Sequence, residues 1–141
     1  MLGVMYNRRV TIKGIVQEGC GKGAMYVRKP FYFSLLRSLL RTEPFPGTLN
    51  IRMLEPVDDY IALSSLCPPS LRLETLKSYS EMYGGLIVWF GKIDDEQCLV
   101  IRPLLSHHNL NIIEIIAAKN LRELLGLLNG SEVTFAIYCS T

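Results

Sequence analysis

A chain of 141 residues with a formal net charge of +2 suits one compact domain, because a domain this size removes roughly two-thirds of its unfolded surface from water without a staple. Charges of both signs are scattered along it, so no basic footprint supports nucleic-acid binding. Cys20, Cys67, Cys98 and Cys139 lie far apart with no CxxC pair, which argues against zinc-finger and redox motifs and makes free thiols in a reducing cytosol the simplest reading.

The opening "MLGVMYNRRV" lacks the apolar stretch of a signal peptide, and "LIVWF" is far too short to span a bilayer. A soluble, cytoplasmic protein without membrane partners is expected. "VTIKGIV" alternates as a strand, with Val10, Ile12 and Val16 on one face and Thr11 and Lys13 on the other. The glycine-rich "GCGKGAMY" follows. In "PFYFSLLRSLLR", Tyr32, Leu35, Leu36, Leu39 and Leu40 form one helical stripe, Pro30 stands near its start, and Pro44 and Pro46 stop it. A second strand is predicted over 47–53. From Leu54 to Gly85, Pro56, Pro68 and Pro69 break any long period, and a short helix is expected around Leu71 to Tyr79. "LIVWFGKI" and "QCLVIRP", separated by Asp94-Asp95-Glu96, read as a hairpin. The strand "NIIEIIA" then leads to a short helix "NLRELLGLL" ended by Asn129-Gly130, and Glu132 to Tyr138 form the last strand. No repeat or linker divides the chain. Five or six strands with few helices between them suggest a small barrel rather than a doubly wound sheet.

Three clusters carry chemistry. Gly19-Cys20-Gly21-Lys22-Gly23-Ala24 formally satisfies G-x-G-x-x-A, but it runs into the β-leaning "MYV" instead of opening a helix, and it lacks the Walker spacing. Its glycines still allow backbone N–H groups to turn together toward an anion, with Lys22 adding charge; a simple turn is the competing reading. In "PFPGTLN", Thr48 and Asn50 stand two apart on a strand and present hard, neutral oxygens on one face. Such a pair suits Mg²⁺ completed by water and phosphate, or else a capped turn. Glu114 shares a strand face with Ile112 and Ile116, so its carboxylate is desolvated and needs a donor from the protein or a ligand. His107 and His108 are adjacent, point to opposite faces in a strand, and have no ligating neighbour at a useful spacing, so solvated loop histidines are expected.

Taken in order, "GIVQEGCGKGAMYV", "PFPGTLNIRM", "VIRPLLSHH" and "IIEIIAAKNLRELLGLLNGSEV" resemble the archaeal CTP-dependent riboflavin kinase family over about Thr11 to Ala136. The resemblance implies a mainly β fold, a small six-stranded cradle-loop β-barrel with a few short helices, filling 1–141 as a single domain. It also implies transfer of the terminal phosphate of CTP to the 5′-hydroxyl of riboflavin. Carried onto this sequence, Gly19 through Ala24 wrap the nucleotide phosphates, and Lys119, Asn120, Leu121 and Arg122 complete the nucleotide site. Thr48 and Asn50 become Mg²⁺ ligands, and Ser106 and Glu114 contact flavin. Ser106 replaces the threonine common in the family pattern, keeping the hydroxyl and losing a methyl. The cytidine preference comes wholly from the resemblance. Tyr26, Phe45, Trp89 or Phe90 could line a flavin slot, though each also has a plain core reading. A monomer with small-molecule substrates is expected, and a non-catalytic nucleotide- or flavin-binding barrel is the alternative.

Overall fold

In the computed structural model, which describes residues 8–19, 27–77 and 82–140, the first strand follows the period of its sequence. β1 (Arg9–Gln17) buries Ile12 and Val16 and exposes Arg9, Thr11 and Lys13. It pairs antiparallel with β2 (Leu49–Glu55) on one side and β9 (Glu132–Tyr138) on the other. The register with β2 slips between Lys13 and Gly14. A Cβ at Gly14 would stand 2.7 Å from the Arg52 carbonyl oxygen, so the bulge closes only around a glycine.

The sheet continues from β2 to β8 (Ile112–Ala117), β7 (Glu96–Pro103) and β6 (Leu86–Ile93). Gly91 and Lys92 of β6 then meet Ile137 and Ala136 of β9, which closes six antiparallel strands into a barrel. Closure satisfies backbone groups that an open sheet would leave unpaired at its edges. The expected barrel is therefore the observed one. Its interior is filled by Ile12, Ile51, Trp89, Val100, Ile113 and Phe135, among others. A second apolar layer lies outside, where α1 (Pro30–Leu40) packs Tyr32, Leu36 and Leu40 against Val88, Leu99, Ile101 and Ile116. The predicted stripe makes this contact, with Leu35 and Leu39 at its margin. Tyr32 adds a hydrogen bond from its hydroxyl to the Gly84 carbonyl at 2.8 Å.

The segment between β2 and β6 departs from expectation. Its helix is α2 (Tyr60–Leu66), started by the Asp59 carboxylate, which accepts from the Ile61 and Ala62 N–H groups. Where a helix was predicted there are instead β3 (Leu71–Leu73) and the short pair β4 (Leu76–Lys77) and β5 (Met82–Tyr83). β3 pairs with residues 86–88 of β6, while β9 takes residues 91 and 92 of the same strand. An open stretch of β6 edge thus decides the conformation of "LRL", overriding local preference.

The cysteines correct a second expectation. Cys67 and Cys139, 72 residues apart in sequence, form a disulfide with Cα atoms 4.8 Å apart. They meet because α2 ends beside the end of β9, where Trp89 Nε1 donates to the Cys67 carbonyl at 2.7 Å and the Ser140 N–H donates to the Pro68 carbonyl at 2.8 Å. Cys98 stays a thiol, and burial pushes it up to about 12, leaving it inert at neutral pH. The last helix, α3 (Leu121–Leu125), stops at Gly126, where φ is 64°, rather than at Asn129-Gly130. Among the described residues no helix is long and apolar enough to cross a membrane.

Candidate active site

Two of the three buried polar side chains among the described residues, Asn50 and Glu114, stand on one outer row of the barrel. Asn50 of β2 lies directly opposite Glu114 of β8 and opposite Gln17 of β1. Asn50 and Glu114 are only 6% and 7% exposed. The alternation of the two strands turns Ile51 and Ile113, also paired, into the interior. Thr48, two residues before Asn50, stands close enough to Glu114 for its hydroxyl to favour the ionised carboxylate. Gly19 completes the group, since a Cβ there would run into the Asn50 amide nitrogen. The backbone that leads into the glycine loop therefore lies against Asn50, and any side chain there would have to push the Asn50 amide aside.

Burial raises the Glu114 pKa above the ordinary carboxylate value. The Thr48 hydrogen bond and the charges of His108 and Arg102 oppose that rise without cancelling it. Arg102 is itself only 4% exposed. Its Nη1 donates to the carbonyls of Asn109 at 2.7 Å and Ile112 at 2.9 Å, and its Nη2 to the carbonyl of His108 at 3.0 Å. Its guanidinium carbon lies 4.7 Å from the centre of the Tyr60 ring. Burial lowers its pKa, opposed by Tyr60, Glu114 and Asp59.

Beside Thr48 opens a cavity of about 140 Å³, whose walls include Phe45, Gly47, Lys119, Asn120 and Arg122. Asn120 caps α3, its side-chain oxygen accepting from the Arg122 and Glu123 N–H groups. Arg122 donates to the Gln17 carbonyl at 3.2 Å and to Asn129 Oδ1 at 2.9 Å. The start of α3 is thereby tied to the end of β1, from which the glycine loop departs. Lys119 reaches out to the Glu96 carboxylate at 3.0 Å.

The structure thus brings Gly19, Thr48, Asn50 and Glu114 together, and it sets Lys119, Asn120, Leu121 and Arg122 on the cavity that Thr48 also lines. Ser106 stands in the loop after β7, its Oγ accepting from the His108 N–H at 3.0 Å. Cys20, Gly21, Lys22, Gly23, Ala24 and Tyr26 lie outside the described residues. Trp89 is no candidate for a flavin slot, because it is fully buried inside the barrel. Phe90 packs against the α1 layer, whereas Phe45 is exposed at the cavity. His107 is exposed as expected, but His108 is half-buried and its charge acts on Glu114. Arg102 was missed altogether. Its signal in the sequence is a lone arginine ending the apolar run "CLVI", where a buried cation needs several acceptors.

Among the described residues no group of three or more His, Cys, Asp or Glu could hold a metal. Thr48 and Asn50 are a different donor set, and their chemistry fits a hard cation. The Thr48 hydroxyl and the Asn50 side-chain carbonyl are neutral oxygen donors two residues apart, a set that suits a hard cation completed by water and phosphate.

Residues 16–137 match the model of the CTP-dep_RFKase family, described as a domain of unknown function, DUF120. The chain belongs to the CTP-dep_RFKase family. Among curated relatives, the riboflavin kinase of Pyrobaculum islandicum is 33% identical over 130 residues, covering 92% of this chain and 61% of the relative. That of Saccharolobus solfataricus is 32% identical over 132 residues, covering 92% and 74%, and that of Pyrococcus furiosus is 34% identical over 125 residues, covering 89% and 57%. This chain therefore spans between 57% and 74% of the length of these three relatives. The segment that matches the CTP-dep_RFKase model contains Gly19, Thr48, Asn50, Ser106, Glu114 and the start of α3.

Proposed function

We propose that this chain is a riboflavin kinase that uses CTP, producing FMN and CDP. The observation that carries the reading is the meeting of Gly19, Asn50, Thr48 and Glu114 beside the cavity walled by Lys119, Asn120 and Arg122. Phosphoryl transfer needs alignment and charge stabilisation more than covalent help from the protein. In this reading the glycine loop and 119–122 hold the nucleotide, and Ser106 and Glu114 hold riboflavin. A bond forms from the riboflavin 5′-oxygen to the terminal phosphorus as the bond to the bridging oxygen of CDP breaks, with the electron pair leaving on CDP. The hydroxyl proton passes to Glu114, whose raised pKa suits it to accept. Thr48 and Asn50 would hold Mg²⁺, which when bound supplies positive charge to the phosphate oxygens. The reading includes a monomeric, cytoplasmic enzyme. The Cys67–Cys139 bridge is compatible with that location where intracellular disulfides persist, as in hyperthermophiles.

The test is FMN formation from riboflavin and Mg²⁺ with CTP or ATP, read by separation of the flavins. CTP is expected to exceed ATP in kcat/KM by about tenfold or more, the scale at which a site that hydrogen-bonds one base rejects another. Absence of FMN removes the kinase reading, and tight riboflavin binding without turnover would leave a non-catalytic flavin module. Thr48→Ala and Asn50→Ala should each raise the Mg²⁺ concentration for half-maximal rate by about tenfold. Unchanged magnesium titrations would remove the metal assignment.

A further inference from the structure

The loop between β7 and β8, residues 104–111, carries Ser106, His107 and His108 and has no regular secondary structure of its own. Its own side chains anchor only its first half, through Leu104 on the core and the Ser106 hydroxyl on the His108 N–H, while Leu105 and Leu110 are 53% and 47% exposed. What holds its second half comes from outside. Arg102 reaches from the last turn of β7 with two nitrogens on three carbonyls, those of His108, Asn109 and Ile112. Tyr60 covers the guanidinium with its ring, and its backbone N–H donates to the Leu110 carbonyl at 2.9 Å. The Met53 N–H donates to the Asn111 carbonyl at 2.8 Å.

A planar fork suits this task and a point charge does not, because the carbonyls must be met in fixed directions at once. A buried cation is weak evidence for added stability, since an apolar residue often serves a core at least as well, so its use here is sought in the conformation it fixes. The conformation being fixed contains the Ser106 hydroxyl, which is locked to the His108 N–H immediately beside an Arg102 contact. Arg102 also contributes charge at Glu114. One buried side chain therefore ties the loop of Ser106 to the carbonyl of Ile112, two residues before Glu114 on β8.

We propose that Arg102 is a positioning residue for the acceptor side of the site, holding the Ser106 loop in register with Glu114 while taking no part in nucleotide binding. The inference rests on the kinase reading for the identity of the substrate. Loss of the fork should loosen the loop and weaken use of riboflavin, leaving use of CTP almost unchanged, because none of the three carbonyls that Arg102 holds belongs to the walls of the cavity assigned to CTP.

The experiment compares Arg102→Met, Arg102→Lys and wild type by steady-state kinetics in both substrates and by amide hydrogen exchange over 104–111. For Arg102→Met, kcat/KM for riboflavin should fall about 10- to 100-fold, the range seen when a supporting partner of a site is removed. KM for CTP should stay within about twofold, and exchange at the His108 amide should rise at least about tenfold. Arg102→Lys should lie between, since an ammonium keeps charge but not the fork. Should Arg102→Met fail to fold, Tyr60→Leu removes the ring from the outer side and should give the same riboflavin-selective loss at smaller size. Equal losses toward both substrates, or wild-type exchange in the loop, would overturn the proposal. A wild type that makes no FMN overturns the kinase reading and the substrate named here, whereas wild-type kinetics in Arg102→Met within an active background overturns the Arg102 role alone.

Discussion

β2 and β8 present two faces of equal dryness and opposite chemistry. Inward, Ile51 pairs with Ile113 and Leu49 with Ile115, at 4% exposure or less. Outward, Asn50 pairs with Glu114 at 6% and 7%. Depth of burial thus fails to separate core from site here. The separation lies in what each buried residue meets: hydrocarbon inside, and outside the Thr48 hydroxyl and the paired Asn50 amide. An apolar face is forgiving of shape-preserving exchange, whereas a polar face that dry punishes the loss of any one partner.

The largest effect should come from the inner face. Ile113→Ala is expected to lower unfolding free energy by about 3 kcal/mol, measured by urea denaturation, with kcat/KM of the folded protein within about twofold. A loss below about 1 kcal/mol would mean the interior can collapse around the gap, blurring the contrast. On the outer face, Glu114→Gln should reduce FMN formation about 100-fold without loss of stability. A variant that stayed active but melted early would make Glu114 a structural residue. Gly19→Ala should cost about tenfold in turnover, because the methyl runs into the Asn50 amide and small displacements of aligned groups are expensive. Unimpaired turnover would show that the loop can back away from β2.

The smallest effect is in pH dependence. Because the folded Glu114 pKa is raised, the folded state binds the proton more tightly than the unfolded chain. Its contribution to stability is full below the unfolded carboxylate value and is lost as pH rises through the folded pKa. Glu114→Gln should therefore flatten the decline of melting temperature across that window. An identical slope in the variant would assign the decline to other groups.

Much of this was legible because strand period and burial agree. The alternation in "NIIEIIA" placed Glu114 on the face of Ile112 and Ile116, and the two-residue spacing of Thr48 and Asn50 placed them together. What the sequence hid were contacts between distant segments. Cys67 and Cys139 give no local sign of meeting, and "LRL" became a strand only because β6 has an edge to offer. Arg102 was hidden for the same reason, since its partners are main-chain carbonyls, and any residue type can supply those.

The disulfide has a topological consequence. It makes residues 67–139 a covalent hoop that contains β6 through β9, together with the contact of β6 and β9 that shuts the barrel. A tether of that span restricts the unfolded chain by about 4 kcal/mol on chain-entropy grounds. β1 and β2 stand outside the hoop, wedged between β8 and β9 by hydrogen bonds and core packing without a covalent link. Gly19, Thr48 and Asn50 belong to the wedge segment, and Ser106, Glu114 and Arg122 to the hoop, so the candidate site lies along the seam between the two.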